Sequence, residues 1–537
     1  MEKPEYGGAV TFTLGTSIVG FDEAYNNPWD CITTQYTNEE LMTGDWTKGP
    51  AGTGEIGGHV SGSLIMHLEV GCLAESWEMP DDETIIYHIR QGVHFHDKPP
   101  VNGREMVAED VAFSLRRLYE IPSAYLRANY PPEERPTSIT TPDKWTVVVN
   151  CPAGKAATIL YGHSDYFSII PPEVVEEYGD MRDWKVSSGT GPFMMIDHVQ
   201  SSSTTFIRNP NYWQKDPLHP ENTLPYLDEV KMLVIEDYST RLSALRTGKI
   251  DILGISWEDL EGLMSTTPEL ESATYLPGNS WNIFMRNDKP ELPWYDKRVR
   301  QALALAIDNV AIVEDYYGGN AERLTTPLVP VKEFQEMNTS LEELPESTRQ
   351  LYEYHPDKAK ELLAEAGYPD GFKAEILCLS SHADLLSIVK SYWEEINVDL
   401  EIQVREYPVL ASMAFRGTHE QMIMFYFGNS NPNTFAELWT GNPQNVSMVD
   451  DENIMRWKDE LLENFMDWDR LCQIQKEQIP YILEQCWLIQ APTAYSFTMW
   501  WPWVKKYHGE SSIGRHNGGE HFMYIWVDTK LKKEMGY

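Results

Sequence analysis

The chain reads as an α/β protein with mixed sheets and more than one core. Three features predict this: a length of 537 residues, a period-two segment at its start, and a short strand–helix–strand unit in its second half. A chain this long exceeds what one hydrophobic core serves, so two or three lobes are expected. From Gly8 to Ile18, Val10, Phe12 and Leu14 alternate with Ala9, Thr11 and Thr13, which is a strand. Ala108 to Glu120 places Val111, Leu115 and Leu118 on one helical face, with Glu109 and Asp110 complementing the dipole in the first turn. Asp296 can cap a helix whose apolar face is Val299, Leu303, Ala306, Val310 and Val313, with Gly318-Gly319 as its stop. Pro356 opens the next helix, through Ala359, Leu362, Leu363 and Ala366, and Gly367 closes it. A strand over Glu375 to Leu379 follows, then a helix over about 384–396. The next strand alternates Val398, Leu400, Ile402 and Val404, completing the βαβ unit of a parallel sheet. No internal repeat or low-complexity segment interrupts the pattern.

The bulk numbers exclude several classes. Hydrophobic residues make up 42% and charged residues 23%, the balance of a soluble globular protein. No apolar run approaches the ~18–20 residues that span a bilayer. Acidic residues outnumber basic ones 82 to 43, and the net charge of −39 repels phosphate backbones, so nucleic acid is not an expected partner. The start, Met1-Glu-Lys-Pro-Glu-Tyr6, has no basic n-region and no apolar h-region, so no export signal is visible. Six cysteines lie far apart with no CxxC pair, which removes zinc-ribbon and thioredoxin-like readings. Most read as small buried hydrophobes, and an oxidised pair would draw on Cys31, Cys72 and Cys151.

Motifs for chemistry fail on context. Gly52-Thr-Gly-Glu-Ile-Gly57 matches GxGxxG by letter but has no strand before it, so it reads as a surface turn. His94 and His96 share a face in an extended stretch, yet no third or fourth metal ligand is identifiable nearby. HExxH, GxSxG and GxxxxGK[ST] are all missing. The expectation is no catalytic centre, no cofactor and no required metal, with an enzyme kept as the competing class. Eighteen tryptophans and 28 tyrosines are mostly core residues. Some gather as a binding cleft would need them: Trp281, Phe425-Tyr426-Phe427, Trp439 and Trp500-Trp501-Pro-Trp503. Flat rings bury large ligand area at low entropy cost.

The spaced blocks carry more information than any motif. Leu73-Ala-Glu-Ser-Trp-Glu78, Tyr87-His-Ile-Arg90-Gln-Gly-Val93-His-Phe-His-Asp97 and Ala108-Glu-Asp-Val-Ala-Phe-Ser-Leu115 come first. Gly189-Thr-Gly-Pro-Phe193, Arg208-Asn-Pro-Asn-Tyr-Trp213, and Tyr226-Leu-Asp-Glu-Val230 running to Gly248-Lys-Ile-Asp-Ile252 follow. Asp296 with Arg298-Val-Arg-Gln-Ala-Leu303, then Pro356 to Gly371, complete the series. In this order and spacing they resemble family 5 extracellular solute-binding proteins, the peptide/nickel-type components of ABC importers. The last 160 or so residues match more loosely. Most blocks have a turn or helix-end role: Gly189-Thr-Gly-Pro192, for example, is a tight turn into a strand.

The resemblance implies a periplasmic-binding-protein-like fold. Residues 1–50, 185–275 and 495–537 would form the first lobe, 51–184 an inserted subdomain and 276–494 the second lobe. Two strands would cross near 276–287 and 490–497, with a solute held between closing lobes. It also implies a monomer that serves ABC permease subunits. Its location would be periplasmic or extracellular, with a lipoprotein's lipid anchor as an option and the signal segment outside this sequence. In the peptide-binding branches a W-x-x-D-x-x-D-P-x-x-F segment pairs an aspartate with the peptide's α-ammonium. Here the matching stretch keeps Pro432 and Phe435 but has Gly428 and Asn431 at the aspartate positions; a register slip would bring in Asp450 or Asp451. A buried ammonium without a counter-charge is costly. Amides and rings instead suit a neutral ligand, either an oligosaccharide or a capped peptide. The residues expected to hold it are Asn279, Trp281, Phe425, Tyr426, Phe427, Gly428, Asn429, Asn431, Trp439 and Tyr495. A chemosensory or surface binding protein is the remaining alternative.

Overall fold

The computed structural model describes residues 3–59, 65–428, 430, 436–516 and 518–537. The chain divides into two compact units, 1–274 with 496–537, and 275–495. Asn429 and Asn431 lie outside the described residues.

The first unit is built on a seven-stranded mixed sheet. Its order is Glu271–Tyr275, Ser496–Trp500, Ile252–Ile255, Ala9–Leu14, Glu229–Val234, Ser203–Arg208 and Phe193–Val199. Ala9–Leu14 runs parallel to Glu229–Val234 through six residue pairs. Ser496–Trp500 pairs antiparallel with Ile252–Ile255. The tryptophans at the end of that strand are core residues rather than cleft residues. Trp500, Trp501 and Trp503 are 4%, 2% and 0% exposed. Trp501 and Trp503 stack at 4.6 Å, and both rings pack on Tyr537. Each indole N–H is also satisfied, Trp503 donating to Asp251 Oδ1 at 2.7 Å and Trp501 to the Leu245 carbonyl at 2.9 Å.

Segment 51–184 carries its own antiparallel sheet, in the order Ala74–Asp81, Thr84–Ile89, Thr146–Asn150, Ser138–Asp143. The helix Ala108–Glu120 packs on it with Val111, Leu115 and Leu118 buried, as its 3.6 period requires. Ahead of it lies the His94–His96 stretch, whose rings bond backbone. His94 Nδ1 lies 2.8 Å from the Gly103 carbonyl. The buried His96 accepts from the Gly189 N–H on Nδ1 (3.3 Å) and donates through Nε2 to the Gly191 carbonyl (3.0 Å). Burial holds its pKa down to about 4, so the ring is neutral. The turn it secures needs glycine, because a Cβ at Gly189 would lie 2.2 Å from the Thr37 carbonyl oxygen. The Gly189-Thr-Gly-Pro block therefore ties the loop at His96 to the segment around Thr37 within the first unit. All six cysteines are buried free thiols, Cys31, Cys72 and Cys151 included. Among the described residues no helix is long and apolar enough to cross a membrane.

The interior of the first unit also holds acids. Asp165 is hydrogen-bonded by both Glu40 and Glu69, and it accepts the Arg515 backbone N–H. Glu520 takes the Thr43 hydroxyl at 2.7 Å; Glu39 takes the Tyr212 hydroxyl at 2.8 Å and the Trp213 indole N–H at 3.0 Å. Glu39, Glu40, Asp165, Glu510 and Glu520 are each no more than 3% exposed. Burial raises Glu39 and Glu510 to about 7 and Glu520 to about 8. Burial and the charge of Asp165 push Glu40 and Glu69 well above the usual carboxylate range.

The second unit carries a five-stranded sheet ordered Val398–Val404, Phe372–Cys378, Met422–Phe427, Ser280–Met285, Leu488–Gln490. Phe372–Cys378 and Val398–Val404 pair in parallel through seven residues, joined by the helix Ala383–Glu394. That helix buries Leu385, Leu386, Val389 and Trp393. Asp296 caps the helix Lys297–Leu305 by accepting the Arg298 N–H at 2.8 Å. The single helix expected from Asp296 to Val313 is instead two. Asp308 interrupts it and caps again, accepting the Ala311 N–H at 2.9 Å, and a wide turn over Ile312–Tyr316 follows. The break rotates Val310 to the surface, where it is 49% exposed.

Candidate functional site

In the second unit's sheet, Val398–Val404, Phe372–Cys378 and Met422–Phe427 run parallel, and Ser280–Met285 runs against both of its neighbours. One edge therefore collects the carboxyl ends of four strands and the amino end of Ser280–Met285. Crevices outside the carboxyl ends of strands are where open α/β sheets bind ligands.

Side chains of two kinds meet at this edge. Trp281 lies opposite Tyr426 in the strand register, and its ring packs on His382 with centroids 4.1 Å apart. Tyr426 stands edge-on to Trp281 at 6.1 Å and to Phe415 at 6.4 Å. Trp281, His382 and Tyr426 are half-buried, so each keeps ring surface to offer. Beside them lies a neutral network. Ser280 and Thr326 share a hydroxyl bond of 2.6 Å, and the Asn282 amide donates to Ser280 Oγ at 3.0 Å. Gln490 donates to Thr325 Oγ1 at 3.1 Å, which in turn bonds Thr493 at 2.7 Å.

The expected ligand residues fall into separate places. Trp281 and Tyr426 form the exposed part of the ring cluster. Phe425 and Phe427 are 0% exposed. Phe425 packs edge-on behind Trp281 at 6.1 Å, and Phe427 stacks on Phe284, so both support the wall from behind. Asn279 is exposed in the turn before Ser280. Trp439 is half-buried and lies 5.4 Å from the Lys458 ammonium; among the described residues no ring contact joins it to Trp281. Tyr495, at the end of the unit, donates its hydroxyl to Glu322 Oε2 at 3.5 Å.

Gly428 leads to a residue the sequence did not single out. Its N–H donates to Glu437 Oε1 at 3.0 Å, and a Cβ on Gly428 would lie 2.7 Å from that oxygen. The carboxyl of Glu437 thus fills the space that a side chain at 428 would occupy. Glu437 is 8% exposed, and burial raises it to about 7 against the pull of the Gly428 N–H. It also contributes to raising the Tyr426 hydroxyl to about 12, after burial and Tyr407. Burial holds His382 down to about 4. The edge therefore combines neutral rings, amides and hydroxyls with one buried acid poised near neutrality.

Residues 70–447 match the family described as bacterial extracellular solute-binding proteins, family 5. The chain belongs to that family. Heme-binding protein A of Haemophilus influenzae is 26% identical over 450 residues, covering 78% of this chain and 77% of that protein. Di/tripeptide-binding protein 1 of Pseudomonas aeruginosa is 26% identical over 418 residues, covering 72% of each. The fold is shared with the periplasmic binding protein DppA of Helicobacter pylori, solved with the peptide STSA. That structure superposes with a TM-score of 0.71 at 22% identity, covering 98% of this chain and 99% of that one. Within this family 5 chain, the Gly189 and Ala108 blocks serve the first unit's scaffold, and the matched residues 70–447 also span Trp281, His382, Tyr426 and Glu437 of the candidate site.

Proposed function

We propose that this family 5 protein is the solute-capturing component of an ABC importer and holds a small, peptide-like organic solute without converting it. The observation that carries this reading is the Trp281–His382–Tyr426 ring cluster at the carboxyl edge of the second unit's sheet. The di/tripeptide-binding relative supports a peptide-like ligand. Delivery would be to permease subunits, by a monomer outside the cytoplasmic membrane. Stacking and area burial on one ring are worth roughly 1–3 kcal/mol, so Trp281→Ala should weaken binding about tenfold or more. Titration calorimetry against free di- and tripeptides tests this, with mass spectrometry of the recovered ligand. A ligand returned chemically altered, or an unchanged affinity in Trp281→Ala, would count against the reading.

Glu437 refines the ligand class. The expectation of a purely neutral ligand rested on Gly428 and Asn431, and a buried acid beside Gly428 supplies the missing counter-charge for a ligand ammonium. The pH dependence then has a definite sign. An ammonium prefers ionised Glu437, whose pKa is about 7 in the free protein, so affinity rises from pH 6 to pH 7.5 and levels off above. In Glu437→Gln the affinity should be weaker and flat across the same range. Equal slopes in both proteins would remove Glu437 from ligand binding.

A further inference from the structure

We infer that Arg323 anchors a carboxylate on the solute, in a groove that forms a further subsite of the second unit. The inference deepens the solute-binding reading and rests on it.

The groove is concave, has a volume of about 840 Å³, and is lined wholly by segment 322–343. That volume lies within the range of small-ligand sites, about 300–1,000 Å³. Arg323 stands at the bend after the two-residue strand Ala321–Glu322, which pairs with Thr493–Ala494. It precedes Thr325 and Thr326, members of the hydroxyl network at the sheet edge, by two and three residues. At no more than ~3.6 Å per residue, groove and ring cluster are within reach of one small solute.

The state of the guanidinium is the telling feature. Arg323 is half-buried, its backbone N–H is used by Glu322, and its side chain takes no hydrogen bond or ion pair among the described residues. In a chain with 82 acidic and 43 basic residues, an arginine has no shortage of partners. Arg117 is paired with Asp22, Arg104 with Asp110 and Arg286 with Asp288. The acids bordering the groove are otherwise engaged or solvated. Glu322 Oε1 accepts the N–H groups of Arg323 at 2.8 Å and Leu324 at 3.5 Å, and its Oε2 accepts the Tyr495 hydroxyl. Glu343 accepts the Ser340 N–H at 2.9 Å and, like Glu342, is exposed. A guanidinium presents a planar fork of N–H donors that matches a carboxylate in two parallel bonds. One such fork beside hydrated glutamates suits a monoanion, whereas a phosphate dianion would meet net repulsion.

The test uses the whole protein and a panel of di- and tripeptides, each as the free acid and as the C-terminal amide. Calorimetry should show at least about tenfold tighter binding of the acids. The preference should vanish in Arg323→Gln and return in part in Arg323→Lys, which restores the charge but not the fork. Because the guanidinium bonds nothing among the described residues, Arg323→Gln should melt at the same temperature as the parent. Equal affinity for acid and amide, or a preference that survives in Arg323→Gln, overturns the assignment and leaves the solute-binding reading standing. A lowered melting temperature in Arg323→Gln makes the residue structural and also overturns it. No binding by any panel member overturns both.

Discussion

Raising the pH from 6.5 to 9 should lower the melting temperature steeply, because the first unit folds around acids that hold their protons. Glu39 and Glu510 at about 7 and Glu520 at about 8 all lie above the ~4.3 of an unfolded glutamate. The folded state therefore binds more protons than the unfolded one, and stability falls as pH climbs through the folded values. Below pH 6.5 the buried histidines oppose this. His96 at about 4, and His163, His516 and His521 at about 3, are neutral when folded, but the unfolded chain protonates them, so they favour folding as pH rises. The two trends offset each other up to the unfolded histidine pKa of ~6.5; above it only the carboxyl term remains. At about 1.4 kcal/mol per pH unit and proton, the loss is several kcal/mol. Glu520→Gln separates the cluster from general repulsion by the −39 net charge, since an amide can still accept from Thr43. Calorimetric scans across pH should show a shallower fall in that variant. A stability maximum at pH 8 to 9, or the same fall in both proteins, would reject the explanation.

Breaking the buried pair of Asp22 and Arg117 should cost about as much. Arg117 donates to both Asp22 oxygens, at 2.7 and 2.6 Å, and the side chains are 7% and 2% exposed. Asp22 also accepts the N–H groups of Ala24 (3.0 Å) and Met181 (2.9 Å), so it ties three parts of the chain together. Arg117→Met leaves a carboxylate in the interior with two backbone N–H partners and no cation, a loss of about 3–5 kcal/mol. Adding Asp22→Asn removes the stranded charge and should recover a substantial part of it. Urea midpoints for the parent, both single variants and the double variant complete the cycle. A single-variant loss under about 1 kcal/mol would show that water reaches the pair.

Local order was legible where one physical signal dominated. The helix Ala108–Glu120 combines a clean apolar face with acids in its first turn, and the strand Val398–Val404 alternates apolar and polar residues. The 296–313 helix was misread because apolar spacing continues through Asp308, while a side-chain cap there restarts the helix. Met422–Phe427 is apolar at every position, so periodicity could not separate Tyr426, which keeps exposed ring, from Phe425 and Phe427, which do not. Glu437, Arg323 and the acids around Asp165 had no local signal at all. Their roles depend on which distant segments fold against them, as when Glu40, Glu69 and Arg515 converge on one aspartate.

The way the chain enters and leaves the second unit also governs the order in which the molecule can be assembled. Residues 275–495 form a continuous insertion, and the strand Ser496–Trp500 fills the place between Glu271–Tyr275 and Ile252–Ile255. A growing polypeptide therefore finishes the second unit while the first unit's main sheet still lacks an internal strand. Until residue 500 emerges, Glu271–Tyr275 has no neighbour and Ile252–Ile255 carries an open edge, the kind of surface that recruits foreign strands. The indoles that seal this region, Trp501 and Trp503, arrive immediately behind the missing strand, and their partner Tyr537 follows later still. Closure of the first unit's main sheet thus waits on residues made after the second unit is finished, which keeps that sheet open while residues 275–495 are being made.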